Sequence, residues 1–382
     1  MGKIKSRLGS KIEQKTPSFN NNNSNNNYYD MIVFCHLRWE FVYQRPQHII
    51  SRMAQNLKIL FVEEPIGFSE DNEYDDIITI TDNLHVLQPK VQSIEAISDI
   101  IFHYVKSKNV PIGWFYSPSF VSLLSDFNFE TIIYDCMDEL TMFKGAPAEL
   151  LVQEKFLISN ASIIFTGGKS LYESKKLHHN NVFCFPSSVD QDHFAKALNG
   201  IAIPEDIASI PGPIAGYFGV IDERINLDLV NETAIANPTI SFVMIGPLAK
   251  ISEHDLPRQK NIHYLGMKSY EVLPAYIKAF DVAIMPFALN DATKFISPTK
   301  TLEYIAAGKP IISTAIKDVV RDYNHCVAIV ESETDFTTAL HNILEKPKNL
   351  LLGKEYQEIL QKTSWNATAN QMKSIIKQSV AI

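Results

Sequence analysis

Short apolar runs recur along the chain, each closed by polar or turn-forming residues, and stretches with helical apolar spacing lie between them. In the first half the runs are 31–35, 59–63, 112–116, 131–134, 162–165 and 182–185. In the second half they are 214–218, 240–245, 262–264, 282–285, 310–314 and 327–330. Runs this short and this uniformly apolar predict strands buried on both faces, which is the condition of a parallel sheet covered by helices. Amphipathic segments through Leu57, and over 225–235, 270–280, 334–344 and 365–382, supply those helices. The class is therefore α/β. From Ala197 to Pro213 neither period appears, and Ala, Ile, Pro and Gly dominate, which predicts a connection between two domains. The expected division is a tail over 1–28, a domain over 29–196, a linker over 197–213, a second domain over 214–364 and a closing helix over 365–382.

One stretch carries more chemistry than the others: Ser297-Pro298-Thr299-Lys300-Thr301-Leu302-Glu303-Tyr304, leading through Gly308 and Pro310 into an apolar strand. Pro298 suits a helix start, and Gly308 before Pro310 suits a helix end. The N–H groups of Thr299, Lys300 and Thr301 at such a start attract an anion, and Lys300 adds a formal charge. Glu303, near Lys300 on the same helix face, can accept two hydrogen bonds from a vicinal diol such as a ribose. An anion seat with a diol acceptor beside it points to a nucleotide diphosphate.

This stretch resembles the donor-site signature of GT-B glycosyltransferases of the GT4-like branch, in a Ser-Pro-x-Lys-x-x-Glu-Tyr form. A second passage, Pro186-Ser187-Ser188-Val189-Asp190 with Phe194, is similar to the one that closes the N-terminal domain of those enzymes. The resemblance spans 31–382. It implies two Rossmann-like domains facing a central cleft, a nucleotide-sugar donor held by the second domain, and a terminal helix crossing back to the first. It further implies that Ser297, Thr299 and Lys300 meet the phosphates, that Glu303 meets the ribose, and that the backbone around Leu265 and Met267 faces the nucleobase. Many relatives carry a second Glu eight positions before Glu303, for the donor sugar; here Phe295 stands there.

The strand ends add candidates, because open α/β sheets bind ligands at their carboxyl edge. After the first strand comes His36, with Arg38, Trp39, Tyr43 and Arg45 in the same loop. His36 reads either as an acid/base or hydrogen-bond donor at the crevice or as a packing residue. Arg38 and Arg45 could face a phosphate or acceptor, and Trp39 and Tyr43 could stack on a sugar. The fourth run ends in Asp135, Asp138 and Glu139, any of which could take a proton from an acceptor hydroxyl or cap the following helix; Asp138 joins His36 as the catalytic candidate. In the second domain, Gly219 permits close backbone approach, Gly246 marks the next strand end, and Arg224 can reach a pyrophosphate where relatives carry a basic residue nearer the glycine.

Composition narrows the picture. A formal charge of −8 without a dense basic stripe argues against nucleic acid as a partner. The four cysteines are scattered through apolar runs with no metal-ligand spacing, as expected of free thiols in a reducing compartment. Neither a metal nor a bound cofactor is expected, only the nucleotide-sugar co-substrate. The tail is basic and then Asn-rich, so it predicts disorder, with weak attraction to anionic lipid as a minority reading. Met1-Gly2-Lys3-Ile4-Lys5-Ser6 also fits a short myristoylation pattern. With no apolar span, the expectation is a cytoplasmic protein, in reach of the inner membrane face through that tail.

The expected activity is transfer of a sugar, with UDP-sugars the preferred donors, to a hydroxyl of a polysaccharide or lipid-linked acceptor, with retention and without a metal. The alternatives are a nucleotide-sugar epimerase on the same fold and a non-catalytic nucleotide-sugar-binding protein.

Overall fold

A computed structural model of the chain describes residues 29–65, 75–346 and 354–380. The expected tail over 1–28 and the last two residues of the expected closing helix lie outside them. Two sheets organise what is described. The first holds β1 (Met31–Cys35), β2 (Ile59–Glu63), β3 (Asp75–Thr81), β4 (Leu84–Pro89), β5 (Asn109–Phe115), β6 (Asn128–Cys136), β7 (Ile163–Thr166) and β8 (Val182–Cys184), in the order β3-β4-β2-β1-β5-β6-β7-β8. All neighbours are parallel except β3 and β4. The second holds β9 (Ile214–Phe218), β10 (Ser241–Ile245), β11 (Ile262–Tyr264), β12 (Val282–Met285), β13 (Ile311–Thr314) and β14 (Ala328–Val330), in the order β11-β10-β9-β12-β13-β14. It is parallel throughout.

The central strands are apolar on both faces because both faces are covered. Every residue of β1, β2, β9 and β10 is buried. Each Val, Ile, Leu or Phe so buried contributes about 1.5–3 kcal/mol relative to exposure. One apolar cluster, with Phe34, Phe115 and Leu157, fills one face of the first sheet, and another, with Val33, Phe61 and Trp114, fills the other. That second cluster includes Trp365, Ala369, Met372 and Ile376 of the helix Trp365–Val380, so the end of the chain packs on the first sheet. The stack of His48 on Trp365 (4.7 Å) and the contact of Arg52 Nε with Asn366 Oδ1 (2.7 Å) hold it there.

Each sheet changes strand order beside a central strand, at β1/β5 and at β9/β12. Ligand crevices form outside the carboxyl ends of strands at such points. The two crevices face each other across one cleft, lined by residues 41–45, Asp138 and Ser187 from the first half and by Gly219, Arg224, Lys300 and Glu303 from the second.

Candidate functional site

The floor of the cleft is built around β9. Its last residue, Phe218, donates its N–H to the buried Tyr304 hydroxyl (3.1 Å), which fixes the helix Lys300–Ala306 against the strand. The helix ends at Gly308, whose φ of +66° suits a residue without Cβ. Its start differs from the sequence expectation. Helical structure begins at Lys300 rather than Pro298, and the Thr301 N–H donates to the Pro298 carbonyl (3.3 Å). Of the three N–H groups expected to face an anion, Thr301's is therefore engaged, which leaves those of Thr299 and Lys300 and gives the Lys300 side chain the larger part.

Lys300 lies across Gly219. A Cβ on Gly219 would stand 2.2 Å from Lys300 Cε and 2.6 Å from Nζ, and the φ of +132° there also disfavours a side chain. Gly246 makes the same demand one strand over, since its Cβ would stand 1.9 Å from the Gly219 carbonyl oxygen. Gly246 thus makes room for the Gly219 backbone beside it, and Gly219 opens a slot for the lysine. Its ammonium sits over the rings of Tyr217 (5.7 Å) and Phe218 (6.0 Å), and among the described residues it has no carboxylate at ion-pair distance. Burial lowers its pKa, with Glu303 opposing. The Glu303 carboxyl makes no hydrogen bond among the described residues, and burial raises its pKa to about 7 against the pull of Lys300. A cation and a carboxyl on one wall, both short of partners, are arranged for a ligand carrying an anion and donors.

Arg224 also lines the cleft, held by Asp222 through Nε–Oδ1 (3.0 Å) and Nη2–Oδ2 (2.6 Å). Half its fork is thereby committed, and Asp138, which lines the same cleft, feels its charge. Burial raises the Asp138 pKa, and Arg224 opposes the rise. Met267, 43% exposed, and Gly246 line the cleft, whereas Leu265 does not: its N–H donates to the Met244 carbonyl (3.0 Å) and its side chain packs on the apolar core of the second sheet. Ser297 is bound to the opposite wall through Ser187 Oγ, which donates to its carbonyl (2.8 Å). Phe295 packs against the first sheet's core with Lys294 over its ring, so an apolar bridge between the halves occupies the position of the second Glu.

The loop after β1 divides differently from the expectation. Arg38 pairs with the buried Glu63 (2.9 Å), and Trp39 gives its N–H to the same carboxylate (2.7 Å) and packs on Phe61. Neither lines the cleft, because the buried carboxylate at the end of β2 requires both. Arg45 reaches the cleft wall, but its guanidinium is buried between Asp135 (Nη2–Oδ1, 2.8 Å) and the Phe185 carbonyl (2.8 Å), a structural tie rather than a free anion ligand. Tyr43 does face the cleft, against Tyr270 (ring centroids 4.7 Å apart). His36 does not line it. Its Nδ1 is buried with no partner among the described residues, and burial, reinforced by Lys250, lowers its pKa to about 4, holding the ring neutral at physiological pH.

Several residues in the cleft wall or supporting it escaped sequence reasoning. Asp222, two positions before Arg224, was the legible one; Ser187 lay inside a recognised passage. Tyr270 and Phe143, whose ring stands 5.4 Å from Arg224 and 4.7 Å from Lys250, carried no local signal. Among the described residues no group of three or more His, Cys, Asp or Glu could hold a metal ion, and no helix is long and apolar enough to cross a membrane.

Residues 213–346, which hold β9 to β14 and the lysine slot, match the family Glycosyl transferases group 1. That part of the chain is a group 1 glycosyltransferase domain, and the chain as a whole has the GT-B fold. TuaH of Bacillus subtilis (strain 168), assigned as a glycosyltransferase of teichuronic acid biosynthesis, is 24% identical over 279 residues, 68% of this chain and 70% of that protein. Among solved structures, sucrose-phosphate synthase from Thermosynechococcus elongatus has a TM-score of 0.67 at 15% identity, covering 92% of this chain and 99% of its own. Alr3699/HepE of Anabaena, solved with UDP and glucose, has a TM-score of 0.63 at 12% identity, covering 92% and 100%. At these identities the likeness carries the fold, and the chain's own residues must carry the chemistry.

Proposed function

We propose that this glycosyltransferase moves a sugar from a nucleotide diphosphate sugar, UDP-linked by preference, to a hydroxyl of a polysaccharide or lipid-linked acceptor. The observation that carries the proposal is the Lys300 ammonium, seated in the slot that Gly219 leaves open, with no carboxylate at ion-pair distance among the described residues. A diphosphate supplies the missing charge, and the ribose diol supplies donors for Glu303. When the bond from the anomeric carbon to the diphosphate breaks, its electron pair moves to the leaving oxygen. Lys300 and the free donors of Arg224 stabilise that oxygen as charge develops, without a metal. The acceptor oxygen forms the new bond, with retention at the anomeric carbon, and Asp138, whose raised pKa suits it to hold a proton, takes the hydroxyl proton. UDP is favoured because HepE was solved with UDP. A cell-surface product is favoured by the assignment of TuaH to teichuronic acid biosynthesis.

The test incubates the purified protein with UDP-, GDP- and dTDP-sugars, with and without a lipid-linked glycan fraction, in the presence of EDTA, and measures nucleotide release. Release that needs both donor and acceptor supports transfer. An isomerised donor without acceptor would make the protein an epimerase. Binding with no turnover would make it a non-catalytic nucleotide-sugar receptor.

A further inference from the structure

The helix Glu149–Asn160 is apolar on two sides. Leu150, Leu157 and Ile158 face the core of the first sheet, together with Glu154, which is buried in contact with Lys175 Nζ and the Tyr134 hydroxyl (2.7 Å each). The opposite side is also apolar, yet no described residue covers it: Leu151 is 49% exposed, Val152 69% and Phe156 50%. Lys155 stands within this stripe, because 152, 155, 156 and 159 share one helical face. The stripe continues past Ser159, which shares a surface hollow with Lys176 and Leu177, and Leu177 is 76% exposed. Lys144, also exposed, precedes the helix. Of the helix's acids, Glu154 is buried and Glu149, exposed on the face of Val152 and Phe156, offsets one of the three cations Lys144, Lys155 and Lys176, which leaves the stripe basic.

The composition chooses between occupants. Cores of protein–protein interfaces are depleted of lysine, because an ammonium sealed between two proteins loses its water. At a lipid surface the same lysine extends its stem along the apolar face and lifts its charge to the phosphates. We propose that this face, with Val152, Phe156 and Leu177 entering the headgroup boundary and Lys155 and Lys176 meeting anionic headgroups, docks the protein on an anionic membrane. The docking face lies close to the cleft in the chain, since the loop leading into its helix carries Phe143, which rests on Arg224 and Lys250.

The full chain is mixed, without nucleotide, with vesicles of phosphatidylcholine containing phosphatidylglycerol or of phosphatidylcholine alone, and the bound fraction is read by sedimentation. The expected result is binding to the anionic vesicles that falls about tenfold or more in V152Q/F156Q and, separately, in K155E/K176E. All four positions are exposed, so thermal melts should match the parent. Undiminished binding by both variants would overturn the proposal and assign the contact to the tail. Absence of binding by the parent would overturn it too, as would a parent dimer that V152Q/F156Q converts to monomer, which would make the face an interface between copies. Because no nucleotide is present, none of these results depends on the donor-site proposal.

Discussion

Replacing Gly219 with alanine tests the lysine slot by adding one carbon atom. The new Cβ would stand 2.2 Å from Lys300 Cε and 2.6 Å from Nζ, at a φ of +132°. Two effects separate. Backbone strain of this kind costs about 1–3 kcal/mol and falls on the folding equilibrium. The lysine end is flexible and yields cheaply, but in yielding it carries the ammonium away from Tyr217 and Phe218. A charge-assisted hydrogen bond to phosphate contributes about 1.5–3 kcal/mol, so UDP should bind G219A about 10- to 150-fold more weakly. The assay is isothermal titration with UDP at a temperature where the variant is fully folded. Gly145→Ala is the control, since Gly145 has a φ of +77° and open space around its Cβ: it should lose stability and keep its affinity. A folded G219A that binds UDP as the parent does would refute the placing of phosphate at Lys300.

Glu303 predicts opposite pH trends for stability and for binding. Its folded pKa, about 7, lies above its ordinary 4.5, so the folded state holds an extra proton between these values and the free protein loses stability as pH rises through that window. Glu303→Gln should flatten this slope in urea melts. UDP affinity should instead rise in the parent between about pH 6 and about pH 8, as the diol-accepting carboxylate forms, and E303Q should abolish the rise. Arg45→Ala should destabilise the fold by about 3–5 kcal/mol by leaving Asp135 buried without its partner; unchanged stability with lost transfer would return Arg45 to the acceptor site.

How much of this was legible depends on where each residue's partners lie. β1, β2, β9, β11 and β12 match the apolar runs because a strand buried on both faces needs no information beyond its own side chains. The antiparallel hairpin β3–β4 was missed: most of β3 is exposed, with Ile77 and Ile80 on its surface. The helix Glu149–Asn160 was missed because apolar residues on both its sides erase the period that marks a helix. The same divide runs through the site. Gly219, Lys300 and Glu303 could be named from local spacing, and the structure brings them to one wall. Arg38 and Arg45 could not be sorted from cleft residues, because Glu63 and Asp135, which hold them, lie 25 and 90 positions away. The helix start was misread by two residues, since Pro298 supplies a carbonyl to the first turn rather than occupying it. Nothing near Phe295 in sequence shows that it packs across the cleft.

Lys300→Met, titrated with UDP beside the parent, tests the central claim most directly. Burial lowers the Lys300 pKa, so the free protein carries an ammonium that it solvates poorly. Methionine fills the slot without the charge, and K300M should melt at or above the parent's temperature while losing at least about tenfold in UDP affinity. A variant that keeps the parent's affinity would contradict the account, whatever its stability.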